Sequence, residues 1–224
     1  MTLRQLHERV VACNRCDRLR EYCQEVAREK RRAYVEWDYW GKPVPGFGDP
    51  GARIWIIGLA PAAHGANRTG RVFTGDRSGD FLFAALHRAG LANQSTSRSR
   101  DDGLKLKDVY ISATARCAPP ANKPSPEEIA NCADYLDHEW RLLKRKRVLL
   151  ALGKIGWDAC NRVAARHGAV GDVSITFGHG ASRALSDSLT LIGSYHVSQQ
   201  NTFTGKLTEA MFDAILKSCL ELSR

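Results

Sequence analysis

Ile54-Trp55-Ile56-Ile57-Gly58-Leu59-Ala60-Pro61-Ala62-Ala63-His64-Gly65-Ala66-Asn67-Arg68-Thr69-Gly70-Arg71-Val72-Phe73-Thr74-Gly75-Asp76 changes character after its first few residues. It begins as an apolar run of strand length and continues as a loop rich in Gly, Ala and polar residues. An apolar run without polar alternation is the pattern of a parallel strand buried on both faces. Loops that follow such strands gather at the carboxyl edge of the sheet, where ligands bind. Small residues let backbone approach a flat ligand closely, and Gly58, Gly65, Gly70 and Gly75 can take angles closed to other residues. The loop also carries one aromatic face, Phe73, and one carboxylate, Asp76. A stacking surface beside an anion suits a planar base joined to a sugar. The plainer reading is a long, ordered crossover, although loops of this length are usually functional.

Downstream, Ser78 to Arg88 has apolar residues at helical spacing, with Phe81, Leu82, Ala85 and Leu86 on one side. Asp76 then falls at the start of a helix, where the partial positive charge of the helix end favours a carboxylate. A helix cap is its simpler role. Further strands are expected at 108–115, 148–153 and 189–195, with helices opening at Pro126 and running over 155–166, and a C-terminal helix. Pro126-Glu127-Glu128 has the proline and acids typical of a first turn. No repeat or interior linker divides the chain, so residues 1–224 read as one α/β domain. Its three layers are α/β/α around a central four-stranded parallel sheet. The strand-end loops would then bring together Phe73, Asp76, Asn122 and the run His196-Val197-Ser198-Gln199-Gln200-Asn201.

Upstream, Cys13-Asn14-Arg15-Cys16 interrupts a helical segment, a spacing shared by metal knuckles and redox sites. Arg28, Lys30, Arg31 and Arg32 read as a solvated helix face. The stretch from Tyr34 to Pro50 is dense in aromatics, Gly and Pro, an extended connection whose rings more often pack than bind. The chain has 33 Lys and Arg against 24 Asp and Glu, a formal charge of +9, which favours a polyanionic partner. No run reaches membrane-spanning length and the N-terminus lacks an apolar signal core, so a cytoplasmic protein is expected. Seven cysteines in such a chain point to metal, catalysis or burial rather than to disulfides.

The two loop motifs carry a resemblance. Residues 58–70, with Phe73-Thr74-Gly75-Asp76, are similar to the first motif of family 5 (type B) uracil-DNA glycosylases, and His196 to Asn201 resembles their second. The run Arg116-Cys117-Ala118-Pro119-Pro120 with Asn122-Lys123-Pro124 is similar as well, and the likeness spans nearly the whole chain. One departure is Val197, where the family usually has Pro, a small change in loop rigidity. Related family 4 enzymes carry a base-recognising Asn where this chain has Ala113, which implies a broader substrate range.

The resemblance implies a DNA repair enzyme that hydrolyses the N-glycosidic bond of uracil, and of other deaminated bases such as hypoxanthine and xanthine, in double-stranded DNA. It implies Asp76, His196 and Asn122 as catalytic groups. Gly58, Ala60, His64, Asn67, Phe73, Gln199 and Asn201 would bind substrate or position the loops. It also implies a structural 4Fe-4S cluster on Cys13, Cys16, Cys117 and Cys132, and no redox cofactor. The spacing agrees with four thiolates on iron and sulfur, because Cys117 and Cys132 do not form the second close knuckle usual in zinc ribbons. Zinc remains open on spacing alone. Cys23 could replace a ligand, Cys160 and Cys219 fall at core positions, and His179 could face the site or serve the structure. We expect a monomer that binds no membrane. A non-catalytic nucleic-acid binder would explain the charge but not Asp76 and His196 together. A nucleotide-handling enzyme would explain the fold, but the chain has no Gly-rich Lys-Ser/Thr phosphate loop.

Overall fold

The computed structural model describes all residues, 1–224. Two N-terminal helices, α1 (Leu3–Val11) and α2 (Asp17–Glu29), flank the Cys13–Cys16 turn. Thr2 caps α1 through a reciprocal box with Gln5. A short 3-10 turn, Arg32–Tyr34, and the extended connection follow. Then come β1 (Phe47–Gly48), β2 (Ile54–Gly58), α3 (Ala66–Thr69), α4 (Arg77–Arg88) and β3 (Val109–Ala113). The second half is α5 (Pro126–Leu142), β4 (Val148–Leu152), α6 (Gly153–Arg166), β5 (Ser182–Ser186), β6 (Leu189–Ser194), α7 (Gln199–Phe203) and α8 (Glu209–Leu222).

The strands form one sheet in the order β1-β3-β2-β4-β6-β5. Its centre, β3-β2-β4-β6, is the parallel four-stranded sheet expected from the apolar runs. The expected strand count needs correction, because an antiparallel edge is added on each side, β1 on β3 and β5 on β6. The physical reason is plain in both. β1 has two residues, one of them Gly48, too few to carry a pattern. β5 alternates exposed and buried, and one of its two buried positions is Arg183. That guanidinium donates from its two terminal nitrogens to Asn161 Oδ1 at 2.9 Å and to the carbonyls of Val170 and Gly171, while its Nε is buried without a partner.

Strand side chains alternate between two apolar layers, the period of two that a strand imposes. Ile54, Ile56, Val109, Ile111, Val148, Leu150 and Ile192 face α4 and α8, where Leu82, Phe83, Leu86, Phe212, Ile215 and Leu216 close one core. Trp55, Ile57, Tyr110, Leu149, Ala151 and Leu191 face the other side, which α5 and α6 cover with Leu136, Trp157, Cys160 and Val163. Cys160 and Cys219 are both fully buried among these residues. The α1 helix packs on α5 through Leu6, Val10, Cys132 and Tyr135.

A polar chain crosses the second layer. Trp55 Nε1 donates to Ser112 Oγ, and Ser112 Oγ donates to Glu139 Oε2, each at 2.9 Å. The same carboxylate oxygen pairs with Arg116 Nη2 at 2.5 Å, with both side chains 1% exposed. This pair ties the chain leaving β3 to α5, and so sets where Cys117 and Cys132 lie. Removing one partner of a buried pair leaves an uncompensated charge and costs about 3–5 kcal/mol, more than removing both. We therefore expect Glu139→Ala to lower the urea midpoint more than the Arg116→Met, Glu139→Leu double variant. Equal losses would mean the pair is already compensated elsewhere.

Candidate active site

The loops after β2, β3 and β6 leave the same carboxyl edge of the parallel sheet, and those after β2 and β6 meet there. β2 ends at Gly58, in register with Ala113 at the end of β3. A Cβ on Gly58 would lie 2.7 Å from Phe73 Cζ, so the missing side chain is what lets the Phe73 ring fold back over the strand end. Phe73 itself holds φ +50°, a left-handed conformation that a bulky residue avoids unless its surroundings impose it. The loop is anchored from behind by buried Arg71, which bonds Thr74 Oγ1 at 2.9 Å and Ser97 Oγ and Asp102 Oδ2 at 2.8 Å. That guanidinium helps hold the Asp102 carboxyl down at about 2, so the anchor stays charged at any working pH.

Asp76 sits at the start of α4 and does cap it, Oδ1 accepting from Gly79 N at 3.0 Å. Its second oxygen is directed at Gly65, where a Cβ would stand only 2.1 Å from Oδ2. Capping and chemistry thus use different oxygens of one carboxylate. Burial pushes the Asp76 carboxyl above its ordinary range, opposed by the amides of Gly79 and Ser78 and by the charge of Arg68.

The second motif reaches the same place. The Phe73 and His196 ring centres lie 6.1 Å apart at 34°. Loss of hydration around the imidazole lowers the His196 pKa to about 4, so at neutral pH it is an uncharged ring. Asn201 donates from Nδ2 to the His196 carbonyl at 2.8 Å, fixing that residue's backbone from α7. Gln199 opens α7 and is exposed. On the third loop Asn122 is exposed, with φ +57° directly after Ala121 at φ +53°. Two successive left-handed non-glycine residues mark a strained turn of the kind that clusters at functional sites.

Other expected residues are placed differently. Asn67 is fully buried and donates to the carbonyls of Cys23 and Ala63 at 3.2 and 3.3 Å, tying the loop to α2 rather than facing outward. His64 is half-buried and pairs through Nδ1 with Tyr39 Oη at 3.1 Å. Ala60 is half-buried just beyond the end of β2. His179 accepts from the Tyr195 amide at 3.2 Å and packs on the Tyr195 ring, a structural role.

The cysteines of interest form one neighbourhood from three segments. Cys13 and Cys132 share an apolar cluster with Leu6, Val10 and Tyr135, and Cys16 and Cys117 share the adjoining one with Leu19, Cys23 and Ala118. All are free thiols. Asn131 Nδ2 lies 3.5 Å from Cys16 Sγ, and the Arg116 amide donates to Cys132 sulfur. Burial pushes the Cys132 thiol up to about 12. Such sulfurs, buried beside N–H donors, gain most from a bound cation. No three His, Cys, Asp or Glu side chains close around a point as a single ion requires. Cys23 is fully buried and donates to the Ala118 carbonyl at 3.6 Å.

The family model for the uracil DNA glycosylase superfamily matches residues 45–219, a span that holds all three loops. The chain belongs to this superfamily. It is 49% identical over 220 residues to the type-5 uracil-DNA glycosylase of Mycobacterium tuberculosis, covering 98% of this chain and 81% of that one. The type-5 enzyme of Thermus thermophilus is 48% identical over 214 residues, covering 96% and 95% of the two chains. A type-4 uracil-DNA glycosylase of Pyrobaculum aerophilum is more distant, 30% identical over 175 residues and 77% and 72% of the two chains. No helix is long and apolar enough to cross a membrane.

The Gly65 contact gives a direct check. Gly65→Ala must push the Asp76 carboxylate away, and a misplacement of about 1 Å can cost about 100-fold in rate. We expect that loss in single-turnover uracil excision with far-ultraviolet circular dichroism unchanged. Full activity in Gly65→Ala would mean that the carboxylate position is not critical.

Proposed function

We propose that this chain excises uracil, together with hypoxanthine and xanthine, from double-stranded DNA by hydrolysing the N-glycosidic bond. The observation that carries the reading is the meeting of Phe73 and His196, from loops far apart in sequence, the first of which ends at the half-buried Asp76. The target base leaves the stack, at a cost of about a few kcal/mol that is lower for a mismatched base. Phe73 stacks on it. Asp76 orients water toward the sugar carbon, stabilises the positive charge that develops there, and accepts the proton that the water gives up as its oxygen bonds to that carbon. The bond electrons leave with the base, and His196 donates a hydrogen bond to the base oxygen as it becomes anionic. A neutral imidazole, as the low pKa of His196 supports, offers this donor without itself being an acid. Loss of one such donor costs about 3–4 kcal/mol of transition-state stabilisation. Asn122 contacts the base or the water, while Asn201 and Gln199 hold the second loop. The Ala113 methyl beside Gly58 offers no hydrogen bond to a base edge, which supports acceptance of more than one base. The net charge of +9 supports contacts to the phosphates of the duplex.

We further propose that Cys13, Cys16, Cys117 and Cys132 hold a 4Fe-4S cluster as a structural clamp. The donor set fits, with four thiols in one neighbourhood and N–H groups against two of the sulfurs. Such a cluster takes one thiolate from each of four cysteines, which is the number this neighbourhood offers. When bound, it cross-links the α1–α2 turn, the chain after β3, and α5.

Single-turnover rates on uracil, hypoxanthine and xanthine duplexes test the division of roles. Asp76→Asn slows all three while affinity for abasic DNA is kept. His196→Ala hurts most for uracil, the poorest leaving group of the set. Equal losses on every base for His196→Ala would indicate a collapsed loop, and wild-type excision by Asp76→Asn would remove the carboxylate from the reaction. Anaerobically purified protein should contain iron and sulfide. About one zinc and no iron would refute the cluster.

A further inference from the structure

Arg68 lies on α3, inside the loop that carries Phe73 and Asp76, and is 3% exposed. A buried cation is costly unless something offsets its lost hydration. The nearest candidates are not carboxylates. The guanidinium lies between two aromatic faces, 3.9 Å from the Tyr34 ring centre and 4.1 Å from that of Trp37. Both rings belong to the connection after α2, outside the loop. The same connection is laced to α3 by backbone bonds, Trp40 N to Arg68 O at 2.9 Å and Gly41 N to Asn67 O at 3.0 Å.

The hydrogen bonds of Arg68 span the loop. Nε donates to the His64 carbonyl at 2.8 Å and Nη2 to the Gly75 carbonyl at 2.7 Å. One planar side chain thus joins the stretch before α3 to the residue immediately preceding Asp76. Nη1 is buried without a partner. A residue needed only for packing would not require a charge here, since an apolar side chain between two rings would avoid burying the orphaned donor.

Charges of opposite sign act on Asp76. Arg68 stands across the loop and Asp80 lies one turn along α4, while its other close partners are the amides of Ser78 and Gly79. His64, also influenced by Arg68 and by Arg31, is occupied with Tyr39. His196, across the site, is uncharged at neutral pH.

We propose that Arg68, gripped by Tyr34 and Trp37, is a positioning residue for base excision that ties the two ends of the first loop together and presents an ionised Asp76. This makes the aromatic connection after α2 part of the active site. The proposal rests on Asp76 acting as a carboxylate, as argued above. Planarity matters, because a lysine carries the charge but cannot bridge two carbonyls while stacked between rings. The sign of the charge effect is fixed. Burial opposes ionisation of Asp76 and Arg68 favours it, so removing Arg68 raises the pH at which Asp76 ionises.

The test is the pH dependence of single-turnover uracil excision in the full chain, with circular dichroism as the check on folding. In the wild type the rate rises with pH as Asp76 ionises, and this limb is absent from Asp76→Asn. Arg68→Met should be slower by about 100-fold at neutral pH, the scale of a 1 Å misplacement. Its limb should move to higher pH, so the loss shrinks as pH rises. Arg68→Lys should keep the limb in place and recover only part of the rate. Trp37→Leu, with the charge retained, should lower the rate by less and leave the limb unmoved. If Arg68→Met does not fold, Arg68→Gln, neutral yet able to donate to one carbonyl, reads the same limb. A neutral variant whose limb stays at the wild-type pH, with a loss constant across pH, overturns the proposal in favour of simple packing. A wild type without the limb, or an active Asp76→Asn, overturns instead the reading of Asp76 on which it rests.

Discussion

Two absent side chains control the site. Phe73 and Asp76 can fold back over the end of β2 only because Gly58 and Gly65 have no Cβ, which would otherwise stand 2.7 Å from the ring and 2.1 Å from the carboxylate oxygen. These contacts convert a long crossover into a tight cover on the carboxyl edge of the sheet. The strained φ of Phe73 then follows from the surroundings, since Gly58 below and the Arg71 anchor behind fix its backbone between them. Everything proposed for the chemistry depends on this cover, because it is what brings the first loop against His196.

The cysteine neighbourhood, though remote from those groups in sequence, is mechanically joined to them. Asn67 on the loop donates to the Cys23 carbonyl on α2, the helix that starts directly after Cys16. On the other side Cys117 follows Arg116, whose pairing with Glu139 holds the chain against α5 and Cys132. A clamp on the four thiols would therefore fix α2 and the chain after β3 together, and through them the first and third loops. This gives a structural group an effect on the site without any part in bond cleavage, and it agrees with the coupling of metal binding to folding.

The centre of the fold was legible because its strands are buried on both faces, and continuous apolar runs such as Val148–Leu152 have no other simple reading. The edges were not. β1 is too short to show a pattern, and β5 buries an arginine whose carbonyl partners cannot be read from spacing. The site residues divide in the same way. The loops containing Asp76, Asn122 and His196 could be assigned to one edge from topology alone. The directions of their side chains could not, and Asn67 points into the protein rather than toward a ligand. Arg68 carried no signal of its own, because an arginine in a basic chain reads as a phosphate contact. The aromatic density from Tyr34 to Trp40 was the available hint, since rings need a partner and a guanidinium is one.

On the function proposed above, the first and second motif loops form one pocket for an extruded base, with Phe73 on its face and His196 at its oxygen. A crystal structure of the wild-type protein with a duplex containing a non-hydrolysable 2′-fluoro deoxyuridine tests this most directly. The expected complex has the uracil ring stacked on Phe73, a base oxygen within hydrogen-bonding distance of the His196 ring, and Asp76 facing the sugar carbon. A uracil that remains in the helix, or that is bound away from the carboxyl edge of the sheet, would contradict it.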